Sequence, residues 1–369
     1  MPSTICNWAT RSLLQALVCS SLALKFGSEQ GKLGVLDDVA QSPAANKIKG
    51  SSGARKQVVA GLAYGGEYGH FLMRKFVGTL RFTGYKGDII LGVAPDQDQQ
   101  IKEGDKVLAY YKRRGVKAPA VVKKDDVPLA FTRFYDYKKW LEPYHDDDLV
   151  LLTDTKDTYF QLPPFDEYTH VFDDTKVDLM LFSEYKITIG TQSHNTGWVR
   201  GCWGQAEWAK IKDNPVLCSG TTVGTKRGVM RYLKVMLKHM EALRKTKRGC
   251  RAYGVSVIVC PSRFSIMLDF IVLQVDQGYH NYLYYNGMFG TKEQVKVYKQ
   301  GDGPVNTIGY VCQREGGEHS LTDRLVLNKQ GFVMNDNGKK SATIHQWNRC
   351  WNQLVHFVGS AKTLDDKKD

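Results

Sequence analysis

Between residues 57 and 182 the chain alternates short apolar or β-branched runs, at 57–64, 88–94, 106–111, 149–153 and 177–182, with intervals of helix length. Strands spaced in this way return to one sheet by crossover connections, so the sheet is mostly parallel and helices cover both faces. Apolar residues recur at helical spacing in the intervals 68–81 and 131–144. The expectation is therefore an α/β fold, and ligands of such sheets bind just beyond the carboxyl ends of the strands. With 369 residues, 42% of them hydrophobic, the chain is long enough for one large domain with appendages or for two domains.

Two strand ends carry chemistry. The first leads into Tyr64-Gly65-Gly66-Glu67-Tyr68-Gly69, whose glycines suit close approach of a nucleotide and equally a plain strand-to-helix turn. It is neither G-x-G-x-x-G nor a P-loop, which argues against dinucleotide oxidoreductases and P-loop kinases. The second is the apolar run 149–153, which passes directly into Asp154-Thr155-Lys156-Asp157. Two carboxylates where a buried strand meets solvent suit a hexacoordinate divalent cation such as Mn²⁺ or Mg²⁺, with positions left for phosphate oxygens. The competing reading is that Asp154 caps a turn and Asp157 is solvated.

The 51 Lys and Arg residues exceed the 38 Asp and Glu residues by 13, which favours anionic partners without choosing among them. Much of the excess lies at residues 226–248. There Val229, Met230, Leu233, Met236, Leu237, Met240 and Leu243 form the stripe of an amphipathic helix, with the charges on its solvated face. Residues 1–26 contain an apolar run of signal-peptide or short signal-anchor length, with a buried helix as the alternative. Residues 27–56 read as a flexible stem, and residues 359–369 as a charged tail. Of the eight cysteines, Cys202 and Cys218 are the first pair to test for a disulfide, and no spacing suggests zinc. The absence of an Asn-x-Ser/Thr site weakens a secretory assignment and keeps a soluble intracellular protein open.

Together with later segments, the Thr153-Asp154-Thr155-Lys156-Asp157-Thr158-Tyr159-Phe160-Gln161 stretch resembles the metal-dependent nucleotide-sugar glycosyltransferases of the GT-A fold, closest to algal and protist members. The further matching segments are Cys218-Ser219-Gly220-Thr221-Thr222, Asp276-Gln277-Gly278-Tyr279-His280-Asn281 and His345-Gln346-Trp347-Asn348-Arg349, besides the opening strand and its Gly-rich turn. The resemblance spans residues 57–358 and implies a single catalytic domain with a mixed, mostly parallel, Rossmann-like sheet. The implied activity is hexosyl or pentosyl transfer from a UDP- or GDP-sugar to a hydroxyl of a glycan, glycoprotein or glycolipid.

What the resemblance implies for the site is a Mn²⁺ or Mg²⁺ ion held by Asp154, Asp157 and His345, neutralising the leaving diphosphate. Tyr64, Gly65, Asp154, Ser219, Gly220, Gln277 and Arg349 would contact the donor, although Ser219-Gly220 reads equally as a tight structural turn. Asp276 would face the transferred sugar, and Glu184 is the alternative carboxylate for deprotonating the acceptor. Trp198, Trp203 and Trp208, with Tyr185, would make residues 184–208 an acceptor side, although large aromatics are mostly core. Implied too is a Golgi-lumenal enzyme anchored through its N-terminus, with no nucleic-acid partner. The alternative is a noncatalytic binder of an anionic polymer, through the basic helix.

Residues 255–274 depart from the family pattern: they are far more apolar than their surroundings and separate Tyr253-Gly254 from Asp276-Gln277-Gly278. Removing them restores the expected junction, so the block reads as a translated in-frame intron. A buried strand pair and a membrane-contacting insertion are the alternatives. If retained in the mature protein, the block is expected to displace Asp276.

Overall fold

The computed structural model describes residues 55–63, 69–93, 103–121, 127, 129–245, 276–312, 325–350 and 354, all within one compact unit. The leader, most of the stem, the Tyr64-Gly65 turn, the 255–274 block and the tail lie outside the described residues.

The protein is an α/β fold built on a mixed sheet. Strands β1 (Gln57–Ala63), β2 (Asp88–Val93), β3 (Val116–Lys117) and β4 (Leu149–Thr153) are mutually parallel, in the order β3-β2-β1-β4. Beyond β4 the sheet continues through β8 (Thr221–Thr225), which is antiparallel to β4 and to β6 (Leu179–Thr188). Strand β7 (Pro215–Leu217) pairs antiparallel with β6, and β9 (Val295–Tyr298) pairs parallel with it. A second sheet, in the order β10-β11-β5, joins β10 (Val305–Thr307), β11 (Thr343–His345) and β5 (Thr158–Phe160).

Alternation along the central strands divides the core. Val58, Ala60 and Leu62 of β1, Val150 and Leu152 of β4, and Leu179 and Leu181 of β6 face one side. Val59, Ala63, Leu149, Leu151, Met180 and Phe182 face the other. The first side is covered by helices at Leu129–Leu141 and Lys226–Lys245, the second by helices at His70–Phe82 and Gly104–Arg113. In chain order the helices are α1 (His70–Phe82), α2 (Gly104–Arg113), α3 (Leu129–Leu141), α4 (Thr169–Asp174), α5 (Ser193–Ile211), α6 (Lys226–Lys245), α7 (Asp276–Tyr285) and α8 (Gly309–Cys312), followed by a 3₁₀ turn at Trp347–Cys350. Helix α3 stops just before Glu142-Pro143, where proline forbids a further helical turn.

Residues 106–111 are helix rather than strand. Val107, Tyr110 and Tyr111 are the buried residues of α2, spaced by three and one, with Asp105 in the first turn and Lys112 and Arg113 in the last. An unbroken apolar run of this length fits either element, and the flanking charges favour helix. The strand begun at 177–182 extends through Glu184 to Thr188, so Glu184 lies within the strand and is buried.

The stripe of α6 is core, with Val229, Leu233 and Met236 fully buried. Its charged face is not wholly solvated. Lys226 and Arg227 reach Asp146 and Asp147 at 2.9 and 3.2 Å, and Arg231 pairs with the buried Asp178 through both terminal nitrogens. The expected Cys202–Cys218 disulfide is not formed. Cys218 is a buried free thiol, Cys202 is engaged in a different disulfide, and Cys312 is bonded to Cys350.

Candidate metal and substrate site

The site forms where β4 ends and the two sheets meet. As β4 leaves the core, the Asp154 amide donates to Gly220 O at 2.8 Å, and Thr155 Oγ1 donates to Leu62 O at 2.6 Å. The chain turns into β5, where Thr158 lies opposite His345 in an antiparallel ladder. Strand β11 is held on its other edge by β10. Backbone pairing thus carries a residue 188 positions after Asp157 back to it: His345 Nε2 is 3.5 Å from Asp157 Oδ1 and 3.8 Å from Asp154 Oδ2.

One ligand atom from each of Asp154, Asp157 and His345 lies within 4.8 Å of the other two. His345 is 1% exposed, and its buried Nε2 has no hydrogen-bond partner. An orphaned imidazole nitrogen facing two carboxylates has the donor chemistry of a cation site, so the residues present fit a divalent metal ion. Gly220 makes the approach sterically feasible: a Cβ there would stand 2.6 Å from both Asp154 Oδ2 and His345 Cε1.

A second layer joins this cluster to α7. Arg133, on α3, donates to Asp154 Oδ1 at 2.6 Å and forms an ion pair with Asp276, the first residue of α7. Ser219 Oγ lies 3.4 Å from Asp276 Oδ2, and the Ser219 amide donates to Gln277 Oε1 at 3.4 Å. Gln277 Nε2 in turn reaches Asn195 Oδ1 on α5 at 3.4 Å. Asp276 takes this place in a chain that contains residues 255–274, so it is not displaced from the site.

Electrostatics separate the carboxyls. Burial opposes the charge of Asp154, but the Arg133 guanidinium and His345 hold its pKa below the ordinary value. Burial raises Asp276, with Arg133 opposing and Asp154 adding. Burial raises Glu184 too, against the charges of Arg349 and His345. For His345, burial disfavours the imidazolium, but Cys218 and then Asp157 and Asp154 outweigh it and lift the pKa well above an ordinary histidine.

These side chains line one cavity of about 350 Å³. It brings together Asp154, Asp157, His345, Ser219 and Gly220 with Asp276, Gln277, Glu184 and Arg349, the last from the 3₁₀ turn. Tyr64 and Gly65 lie outside the described residues. Trp198 lines the cavity, whereas Trp203 stacks on Tyr282 at 4.0 Å between centroids and Trp208 lies against Arg200. Tyr185 packs against the core of the small sheet. Arg133, Cys218, Asn195 and Tyr310 belong to the site without having been singled out for it. Of these Arg133 left a trace, a charged residue between Phe131 and Phe134 on a helix that covers the sheet.

Glu184 provides a check on the electrostatics. Its folded-state pKa lies above the unfolded one, so between the two the native state binds more protons and stability falls as pH rises. Glu184→Gln is expected to remove that contribution. Above about pH 4.5 the stability of the variant, measured by thermal melting across pH, should fall less steeply than that of the parent. Parallel profiles would show that Glu184 is ionised in the native protein as readily as in the unfolded chain.

The chain matches no family model and no curated protein.

Proposed function

We propose that the protein is a metal-dependent glycosyltransferase of the GT-A type, moving a sugar from a UDP- or GDP-sugar to a hydroxyl of a glycan, glycoprotein or glycolipid. The observation that carries this reading is the unpartnered Nε2 of His345 beside Asp154 and Asp157 in a cavity at the carboxyl end of a central strand. Mixed carboxylate and imidazole donors favour Mn²⁺ over Mg²⁺, which prefers oxygen throughout. When bound there, the cation supplies positive charge to the diphosphate as it leaves.

The remaining roles fall to the chain's own groups. Arg349 and Lys156 line the cavity and add positive charge for phosphate oxygens. Ser219, Gly220 and Gln277 border the place where the sugar meets the metal cluster. Asp276 has Arg133 as a fixed counter-charge, which leaves Glu184 as the carboxylate suited to take the acceptor proton. Trp198, which lines the cavity with its ring stacked on His194, is the aromatic placed to meet the acceptor sugar.

Pairing of Lys226, Arg227 and Arg231 with acidic partners leaves less of the α6 face to an anionic polymer, which disfavours the noncatalytic alternative. The Cys312–Cys350 bond favours an oxidising compartment over an intracellular one. On this reading residues 1–26 anchor the enzyme in a Golgi membrane, and residues 27–56 form its stem. No helix among the described residues is long and apolar enough to cross a membrane.

The test is hydrolysis and binding of a panel of UDP- and GDP-sugars, with Mn²⁺ and with chelator. Manganese-dependent turnover of one donor is expected. A folded protein that neither binds nor hydrolyses any of them would contradict the reading.

A further inference from the structure

Only one nitrogen of a neutral imidazole carries a proton, and a metal needs the other. His345 Nε2 faces Asp157 and Asp154, so the state of Nδ1 decides whether Nε2 can act as a ligand. The hydrogen-bond partner of Nδ1 is Cys218 Sγ, at 3.5 Å. Cys218 follows β7, is 1% exposed, and is fixed by donation of its amide to Phe182 O at 2.9 Å. The sulfur does not sit in an apolar pocket. Gln346 Nε2 lies 3.7 Å from it and also donates to Glu184 Oε1 at 3.4 Å, which places a polar cluster behind the ring.

We propose that Cys218 is a positioning residue for the metal site: its sulfur accepts the Nδ1 proton of His345, fixing the ring orientation so that Nε2 is the nitrogen that yields its proton to a cation at Asp154 and Asp157. The proposal rests on the reading of Asp154, Asp157 and His345 as a metal site and adds the group that prepares the third ligand. The ring is held from its far side by the sulfur and through its backbone by β5 and β10, so the cation meets a preformed donor. This role also accounts for a buried thiol kept out of disulfide pairing.

The experiment is a Mn²⁺ titration of the full chain, read by electron paramagnetic resonance, for the parent and for Cys218→Ser, Cys218→Ala and Cys218→Val. Loss of a partner behind a metal-bound histidine weakens binding by about 10–100-fold. That loss is expected for Cys218→Ala and for Cys218→Val, the second of which keeps side-chain volume without an acceptor. Cys218→Ser, whose hydroxyl can accept the same proton, should restore affinity to within about threefold of the parent. Nitrogen-15 shifts of the His345 ring, recorded with a diamagnetic divalent cation bound, should report a proton on Nδ1 alone in the parent. If all three variants bind Mn²⁺ like the parent, or if serine binds as weakly as alanine and valine, Cys218 is packing alone and the proposal is overturned. If the parent itself binds no Mn²⁺, the metal reading falls first and this inference falls with it.

Discussion

Asp157→Ala is expected to lower manganese-dependent donor turnover by about a thousandfold or more while leaving the fold intact. The side chain supplies one of three ligand groups and lies 3.5 Å from His345 Nε2, whereas the contribution of the residue to the architecture is its backbone carbonyl, which accepts from the Trp347 amide at 3.3 Å. Alanine removes the ligand and keeps the carbonyl. A cation stabilises a leaving diphosphate by several kcal/mol, and each 1.36 kcal/mol is worth a factor of ten in rate, so loss of about 4 kcal/mol gives the expected factor. Circular dichroism and melting temperature check the fold, and donor hydrolysis checks the rate. A folded variant within about tenfold of the parent would remove Asp157 from the metal site.

The second large effect is on stability. Arg133→Met should destabilise the protein by about 3 kcal/mol at neutral pH, the cost of removing the guanidinium that bridges two carboxylates in a partly buried cluster. Arg133 bridges Asp154 and Asp276, and the Asp276 side chain is only 6% exposed. Methionine fills much of the space and leaves the Asp276 carboxylate facing that of Asp154 without its counter-charge. The sign with pH follows from Asp276. Burial and Asp154 already hold its folded pKa above the unfolded value, and loss of Arg133 raises it further. The deficit should therefore shrink in acid, where the folded variant keeps Asp276 protonated, and grow as pH rises through its raised value. Denaturant midpoints of parent and variant across pH measure this. Equal stability at neutral pH would mean that Arg133 does not hold the two acids together.

What could be read in the sequence follows from how local each signal is. The β4 strand was legible to the residue, because a continuous apolar run ending in Asp154 has few other outcomes. The α6 stripe was legible because its period belongs to helices alone. Residues 106–111 misled, since Val107, Tyr110 and Tyr111 occupy a run too short for periodicity to choose between strand and helix. Arg133 was invisible as a site residue because its partner Asp276 lies 143 positions away, on another element. Cys218 stood in a segment that resembled the family, but composition suggested a disulfide, and only the pairing of β11 with β5 and β10 brought the His345 ring to its sulfur. Gln346, at φ +61°, turns the chain immediately after His345, and no residue type there announced a left-handed backbone.

The central claim is that Asp154, Asp157 and His345 hold a cation for a nucleoside diphosphate. Its most direct test is Mn²⁺ binding followed by electron paramagnetic resonance, with and without UDP and GDP, on the full chain and on Asp157→Ala. The account predicts a single Mn²⁺ site that tightens when one of the two nucleotides is added and is lost in the variant. Binding that neither nucleotide alters, or that survives unchanged in Asp157→Ala, would contradict it.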